Sequence, residues 1–202
     1  MLSFLSFLTE ETNPISVNVY HGSGRSFNKF EQKHARIAND HFGGGIGYFT
    51  DNHDVAKTYA RSMARRPDAT GPHVYHTTLQ MNNVFDVDHE YSGDRLKNLL
   101  PDNPDDHENF ARGAGLLALG GEDKYTVLNK LRSGKLSLSG AQVFKGLSRG
   151  NVDTAKTRQH LISKGYDGIR YNGGENMNME TRHNVYMPYN ASAVTINKVT
   201  KF

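Results

Sequence analysis

Three side chains of this 202-residue sequence pair hydrogen-bonding groups with flat rings at spacings that suit a clamp: His21, Tyr48 and Tyr59. Tyr48 closes the glycine run Gly43-Gly44-Gly45-Ile46-Gly47 and leads into Phe49-Thr50-Asp51. Backbone without Cβ atoms can turn sharply and lie close to a ligand. Thr50 is a good helix N-cap, and Asp51 and Asp54 then fall in a first turn, where a carboxylate suits the helix dipole. Val55, Ala56, Tyr59, Ala60 and Met63 recur at helical spacing, which sets Tyr59 about two turns into that helix. Two rings hung from one turn-helix unit can hold a flat ligand between them. A lone tyrosine on an apolar helix face belongs to the core more often than to a site. The company upstream reverses that preference: Tyr20-His21-Gly22-Ser23-Gly24 puts an imidazole at a strand end, immediately before a glycine turn.

The elements that must position these groups are legible in outline. Val17 to His21, Val74 to Leu79 and Val84 to Val87 read as strands, as do Asp167 to Tyr171, Val185 to Tyr189 and Ala193 to Val199. Between Asp88 and Lys164 the pattern turns helical, with candidates at Asp94–Leu100, Asp105–Leu119, Gly121–Leu131 and Asn151–Lys164. Asn151 is the expected N-cap and Gly165 the expected C′ residue of the last of these. Strands at both ends with helices inserted argue an α+β domain over residues 14–202, with a helical insertion at about 88–164. Residues 1–13 stand apart as a short amphipathic segment without a positive n-region.

Composition narrows the chemistry. The chain contains no cysteine, so thiolate catalysis, disulfides and cysteine metal sites are excluded. Its ten histidines include no His-Glu-x-x-His run, and His73 and His76 would point to opposite faces of a strand, so no metal is expected. Gly43-x-Gly45-x-Gly47 lacks the strand-then-helix context of a dinucleotide fingerprint and the lysine of a P-loop. No apolar run approaches a membrane span. A net charge of +3 permits an anionic ligand without demanding nucleic acid. Arg61, Arg65 and Arg66 line a helix end, where complementing the dipole explains them better than an RNA patch.

Taken in order, the blocks Tyr20 to Gly24, Gly44 to Tyr59, Gly165 to Tyr171 and Asn184 to Ile196 resemble the ADP-ribosyltransferase superfamily. The nearest branch is the diphtheria-toxin/PARP-like one, in particular the domains of phage and mobile-element polyvalent proteins. The interval between Tyr48 and Tyr59 is that family's spacing for its two stacking tyrosines. The resemblance implies NAD as cosubstrate, with transfer of ADP-ribose through an oxocarbenium-like transition state of the kind met in glycoside hydrolysis. It implies that His21 bonds a ribose hydroxyl, that Gly22 offers backbone groups to the carboxamide, and that Tyr48 and Tyr59 sandwich the nicotinamide. Ser23 and Arg25 would reach ribose or pyrophosphate; Gly24, Gly45 and Phe49 complete the implied cofactor-binding set.

The sequence departs from the family where its chain-extending members carry a strand Glu. Here Val185 or Asn184 stands at that position, so mono-transfer is expected rather than polymer formation. Asn184 remains the catalytic candidate on that strand. Glu175, Glu180 and Asp167 are the other carboxylates within reach, although loop charge and turn chemistry explain them as well. Gly47 also departs, standing where the family has an apolar residue. Finally, Leu2 to Glu10 resembles the capsid-targeting peptide of internal head proteins from T4-like tailed phages. Those are cut after Glu in a Leu/Ile-x-Glu site, which Leu8-Thr9-Glu10 matches. That resemblance implies cleavage after Glu10 by a maturation protease, packaging in the phage head, and delivery to the bacterial cytoplasm, where a host protein would be the first acceptor to consider. An inactive NAD- or protein-binding module and an NAD glycohydrolase are the competing readings.

Overall fold

The computed structural model describes residues 14–34, 42, 44–117, 122–149, 153–174 and 182–202. The elements run β1 (Ile15–Ser23), β2 (Phe49–Thr50), α1 (His53–Met63), β3 (His73–Met81), β4 (Val84–Asp86), β5 (Glu90–Ser92) and α2 (Gly93–Leu99). They continue with α3 (His107–Gly113), α4 (Lys124–Arg132), β6 (Ser137–Ser139), α5 (Gly140–Leu147), α6 (Thr154–Ser163), β7 (Gly168–Asn172), β8 (Asn184–Pro188) and β9 (Val194–Lys201). Seven strands form one sheet in the order β4-β7-β8-β2-β1-β3-β9, and β5 and β6 pair apart from it. The α+β expectation is met, because the sheet draws its strands from both chain ends.

The helical segment leaves the sheet after β4 and returns into β7, which pairs parallel with β4. Parallel neighbours require a long crossover, and this segment is that crossover. Its helices cover one sheet face. Leu96, Phe110, Leu131 and Phe144 from the crossover join Phe85, Ile169 and Met187 from the sheet in a single buried cluster. A second cluster, built on Val19, Phe49, Leu79 and Tyr186, lies on the other face.

Several boundaries differ from the sequence reading, each for a local reason. The cap of α1 is Asn52, whose side chain accepts from Asp54 N and Val55 N. Thr50 is instead the last residue of β2, its hydroxyl accepting from Asn52 N. Asp51 therefore lies outside the helix. The helix expected over Asp105–Leu119 is α3, only His107–Gly113, which gives way to a turn with Gly115 at φ +77°. The cap of α6 is Asp153; Asn151 lies outside the described residues. Gly165 takes φ +85°, as a C′ glycine should. The β5–β6 pair and α5 were not anticipated. Strands of three residues carry too little alternation to register, and α5 opens on Gly140 behind a Ser139–Gln142 capping box.

Candidate active site

β1 lies centrally, pairing with β3 over nine positions but with β2 over one, Tyr20 opposite Thr50. Past that pair the chain runs His21-Gly22-Ser23 on one side and Tyr48-Gly47 on the other. One hydrogen bond crosses the gap: His21 Nδ1 lies 2.8 Å from the Tyr48 carbonyl oxygen. A carbonyl only accepts, so Nδ1 carries the proton. The imidazole is ringed by Phe30 at 5.2 Å, Phe49 at 5.3 Å, Tyr75 at 6.1 Å and Phe27 at 6.3 Å between ring centroids. Burial among these rings lowers its pKa from 6.5 to about 4. At neutral pH the ring is therefore uncharged, and Nε2 is left with a lone pair that can accept from a hydroxyl.

The cage has its own supports. Phe27 stacks on Tyr75 at 4.1 Å. The Tyr75 hydroxyl accepts from Phe27 N at 2.7 Å and lies 3.1 Å from the Arg25 carbonyl. The loop after β1 is thereby folded back over His21. Phe49, expected to touch the cofactor, is wholly buried. Its ring contributes packing against His21 and Phe30 instead.

Gly22 lies on the opposite face, against α1. A Cβ there would sit 2.1 Å from the Ala56 carbonyl oxygen and 2.9 Å from Tyr59 Cβ. Gly24 continues the same contact at Met63, where a Cβ would lie 2.4 Å from the carbonyl oxygen. These two glycines let α1 settle onto β1, which brings the base of Tyr59 directly over Gly22. Gly45 is likewise filled by a neighbour, the Pro188 carbonyl, and Ile46 N donates to that oxygen at 2.9 Å. Gly47 has a different reason: its Cβ would lie 3.2 Å from His21 Cε1. The departure noticed at this position is thus the space that the imidazole occupies. Tyr48 is half-buried, its ring packed against the crossover core.

The remaining candidates separate. The Ser23 hydroxyl accepts from Arg25 N at 3.0 Å, and the Arg25 side chain is exposed and paired with Asp68. Asn184 opens β8 and is held by Asp51: its N donates to Oδ1 at 2.9 Å and its Nδ2 to Oδ2 at 2.6 Å. Val185 is buried opposite Thr50. Neither residue of the strand carries charge, and the carboxylate beside them is Asp51. Sequence reasoning missed that role because it placed Asp51 in the helix. Asp167 accepts from Asn82 N and Asn83 N and so secures the β3–β4 turn rather than the cleft. Glu175 and Glu180 lie outside the described residues. The aromatic cage of Phe27, Phe30 and Tyr75 was also missed; Phe27 and Phe30 following a glycine turn were its only trace. Among the described residues there is no cluster of three or more metal-binding side chains, and no helix is long and apolar enough to cross a membrane.

The site therefore offers a neutral imidazole acceptor held by the Tyr48 carbonyl where two strands part, while the rings of Tyr48 and Tyr59 lie with the helices on the other sheet face. The family model of ADP-ribosyltransferases in polyvalent proteins matches residues 11–194. No curated protein and no solved structure matches the chain. With the model covering nearly its whole length, the chain belongs to the ADP-ribosyltransferases of polyvalent proteins.

Proposed function

We propose that the protein is a mono-ADP-ribosyltransferase that uses NAD, with the cleft at the end of the β1–β2 pairing as its active site. The observation that carries this reading is the bond from His21 Nδ1 to the Tyr48 carbonyl. It fixes the tautomer and aims the free Nε2 lone pair away from Tyr48, as recognition of a ribose hydroxyl needs. Gly22, next along β1, offers its backbone to the carboxamide, and Tyr48 and Tyr59 hold the nicotinamide ring. The bond from nicotinamide nitrogen to the ribose carbon breaks with its electron pair leaving on nicotinamide. The acceptor nucleophile then bonds that carbon and loses a proton. Arg25 would bind the pyrophosphate only after leaving its ion pair with Asp68.

A second reading has its own support. Asn184 spends its amide N–H on Asp51, and Val185 is buried, so the strand brings no carboxylate of its own to the ribose. That favours a module that binds NAD without transferring it, or an enzyme that passes ADP-ribose to water. Incubation with NAD labelled in the adenylate half separates the three. Transfer puts label on a macromolecule, hydrolysis leaves free ADP-ribose, and a binding module leaves intact NAD. Intact NAD throughout overturns the transferase reading.

We also propose that residues 1–10 are a removable leader which directs the protein into a phage head, for release into the host cytoplasm and modification of a host component. Leu8-Thr9-Glu10 motivates this, and the family match opens at residue 11, one past the expected cut. Mass spectrometry of purified virions should find a peptide that begins at Glu11. Virions carrying only the intact Met1 terminus would contradict it.

A further inference from the structure

α1 meets β1 through the flank that bears Tyr59, and it carries cations on the other. Lys57, Arg61 and Arg65 recur every four residues, a spacing that lines them up at intervals of about 6 Å. The helix ends at Met63, and turn bonds from Arg65 N to Ser62 and from Arg66 N to Met63 carry the line onward. β9, an edge strand of the sheet, closes against this flank. Lys57 Nζ lies 4.7 Å over the Phe202 ring, and Phe202 N donates to the Pro72 carbonyl. Lys198 of β9, paired opposite His76 on the sheet face that α1 covers, extends the basic strip.

Arg61, Arg65, Arg66 and Lys198 are all exposed. Among the described residues none of the four has an ion-pair partner; the acidic residue closest in sequence, Asp68, is taken by Arg25. The whole chain has only three more basic than acidic residues. Lys57 and these four cations, set on one flank, outnumber the whole chain's net surplus of three. A helix C-terminus attracts cations, and lysines guard edge strands from pairing. The first accounts for the arginines and the second for Lys198, but neither accounts for a 41 % exposed ring, Phe202, set against Lys57 on the same flank.

We propose that this strip is a docking surface for nucleic acid, binding the phosphate backbone of single-stranded DNA or RNA. Arginine forks suit phosphate oxygens, and an exposed ring on the same flank is a stacking platform for a base. An acidic polypeptide would find the charge but would have no use for the ring.

The test is fluorescence anisotropy of the full chain with fluorescein-labelled 20-mer single strands of DNA and of RNA, and with a labelled poly-glutamate of equal charge. No NAD is present, so the outcome is independent of the transferase reading. Binding of at least one oligonucleotide is expected, tighter than poly-glutamate. Its logarithm should fall with the logarithm of salt concentration, by about 0.7 per phosphate contacted. R61E/R65E/K198E together should weaken it by more than about tenfold and flatten the salt slope. Phe202→Ala should weaken it several-fold at unchanged slope. Thermal melts of both variants should match the parent, since every altered side chain is exposed. Failure of both oligonucleotides to bind, equal binding by poly-glutamate, or unchanged affinity in the triple variant would each overturn the proposal. A preference between the DNA and RNA arms identifies the source.

Discussion

With Nδ1 committed to the Tyr48 carbonyl, the charge on His21 is governed by its desolvation. Its folded pKa, about 4, lies below the unfolded value of 6.5. The unfolded chain therefore takes up the proton first as pH falls. The contribution to stability is full above about pH 6.5, is lost progressively between 6.5 and 4, and levels off below that. At one pKa unit per about 1.4 kcal/mol, the loss is at most about 3 kcal/mol. Urea midpoints of the parent and of His21→Gln at pH 7 and pH 5 should show a smaller drop in the variant. Gly47 provides a second handle on the same ring. Gly47→Ala brings a methyl against the imidazole, so NAD turnover should fall by at least about tenfold while the melting temperature stays within a few degrees. Turnover at the parental rate would show that the ring position does not matter.

At the scale of elements, the contact between β1 and α1 decides where Tyr59 stands. Gly22→Ala places a methyl 2.1 Å from the Ala56 carbonyl, and backbone cannot move aside cheaply. We expect a loss of about 1–3 kcal/mol in urea unfolding, together with loss of NAD turnover. Gly22 illustrates what could be read from the sequence and what could not. Its lack of a side chain was visible and rightly marked a close approach, but the partner that fills the space is a helix, which no local pattern names. The same holds for Asp51. Thr-Asp before a helical run is an ordinary capping sequence, and only β8 arriving alongside turns Asp51 toward Asn184. β1, β3 and β9, by contrast, were legible because long alternating runs need no knowledge of their neighbours. Asp51→Ala frees both Asn184 donors and should cost about 1–3 kcal/mol. The melting temperature against that of Asp51→Asn, which keeps one acceptor, checks this.

Across the whole molecule, the crossover is fastened to the sheet by one continuous core. Phe110, from α3, is buried together with sheet residues Ile169 and Met187 in a single cluster, and its ring also fills the space over Gly146. The crossover was legible as helical from its periodicity, whereas its role as the link between parallel β4 and β7 follows from long-range pairing that periodicity does not encode. Phe110→Ala should destabilise the protein by about 3–5 kcal/mol. Fluorescence and circular dichroism should then lose their signals in one coincident transition; two separate transitions would mean that the crossover folds on its own. The claim on which the functional account rests is that this scaffold brings His21, Tyr48 and Tyr59 to one NAD cleft. Nicotinamide release from NAD by the parent, by His21→Ala and by Tyr59→Ala, each shown to be folded by circular dichroism, tests it most directly. The account predicts release by the parent and its loss in both variants; release at the parental rate by both, or none by the parent, would contradict it.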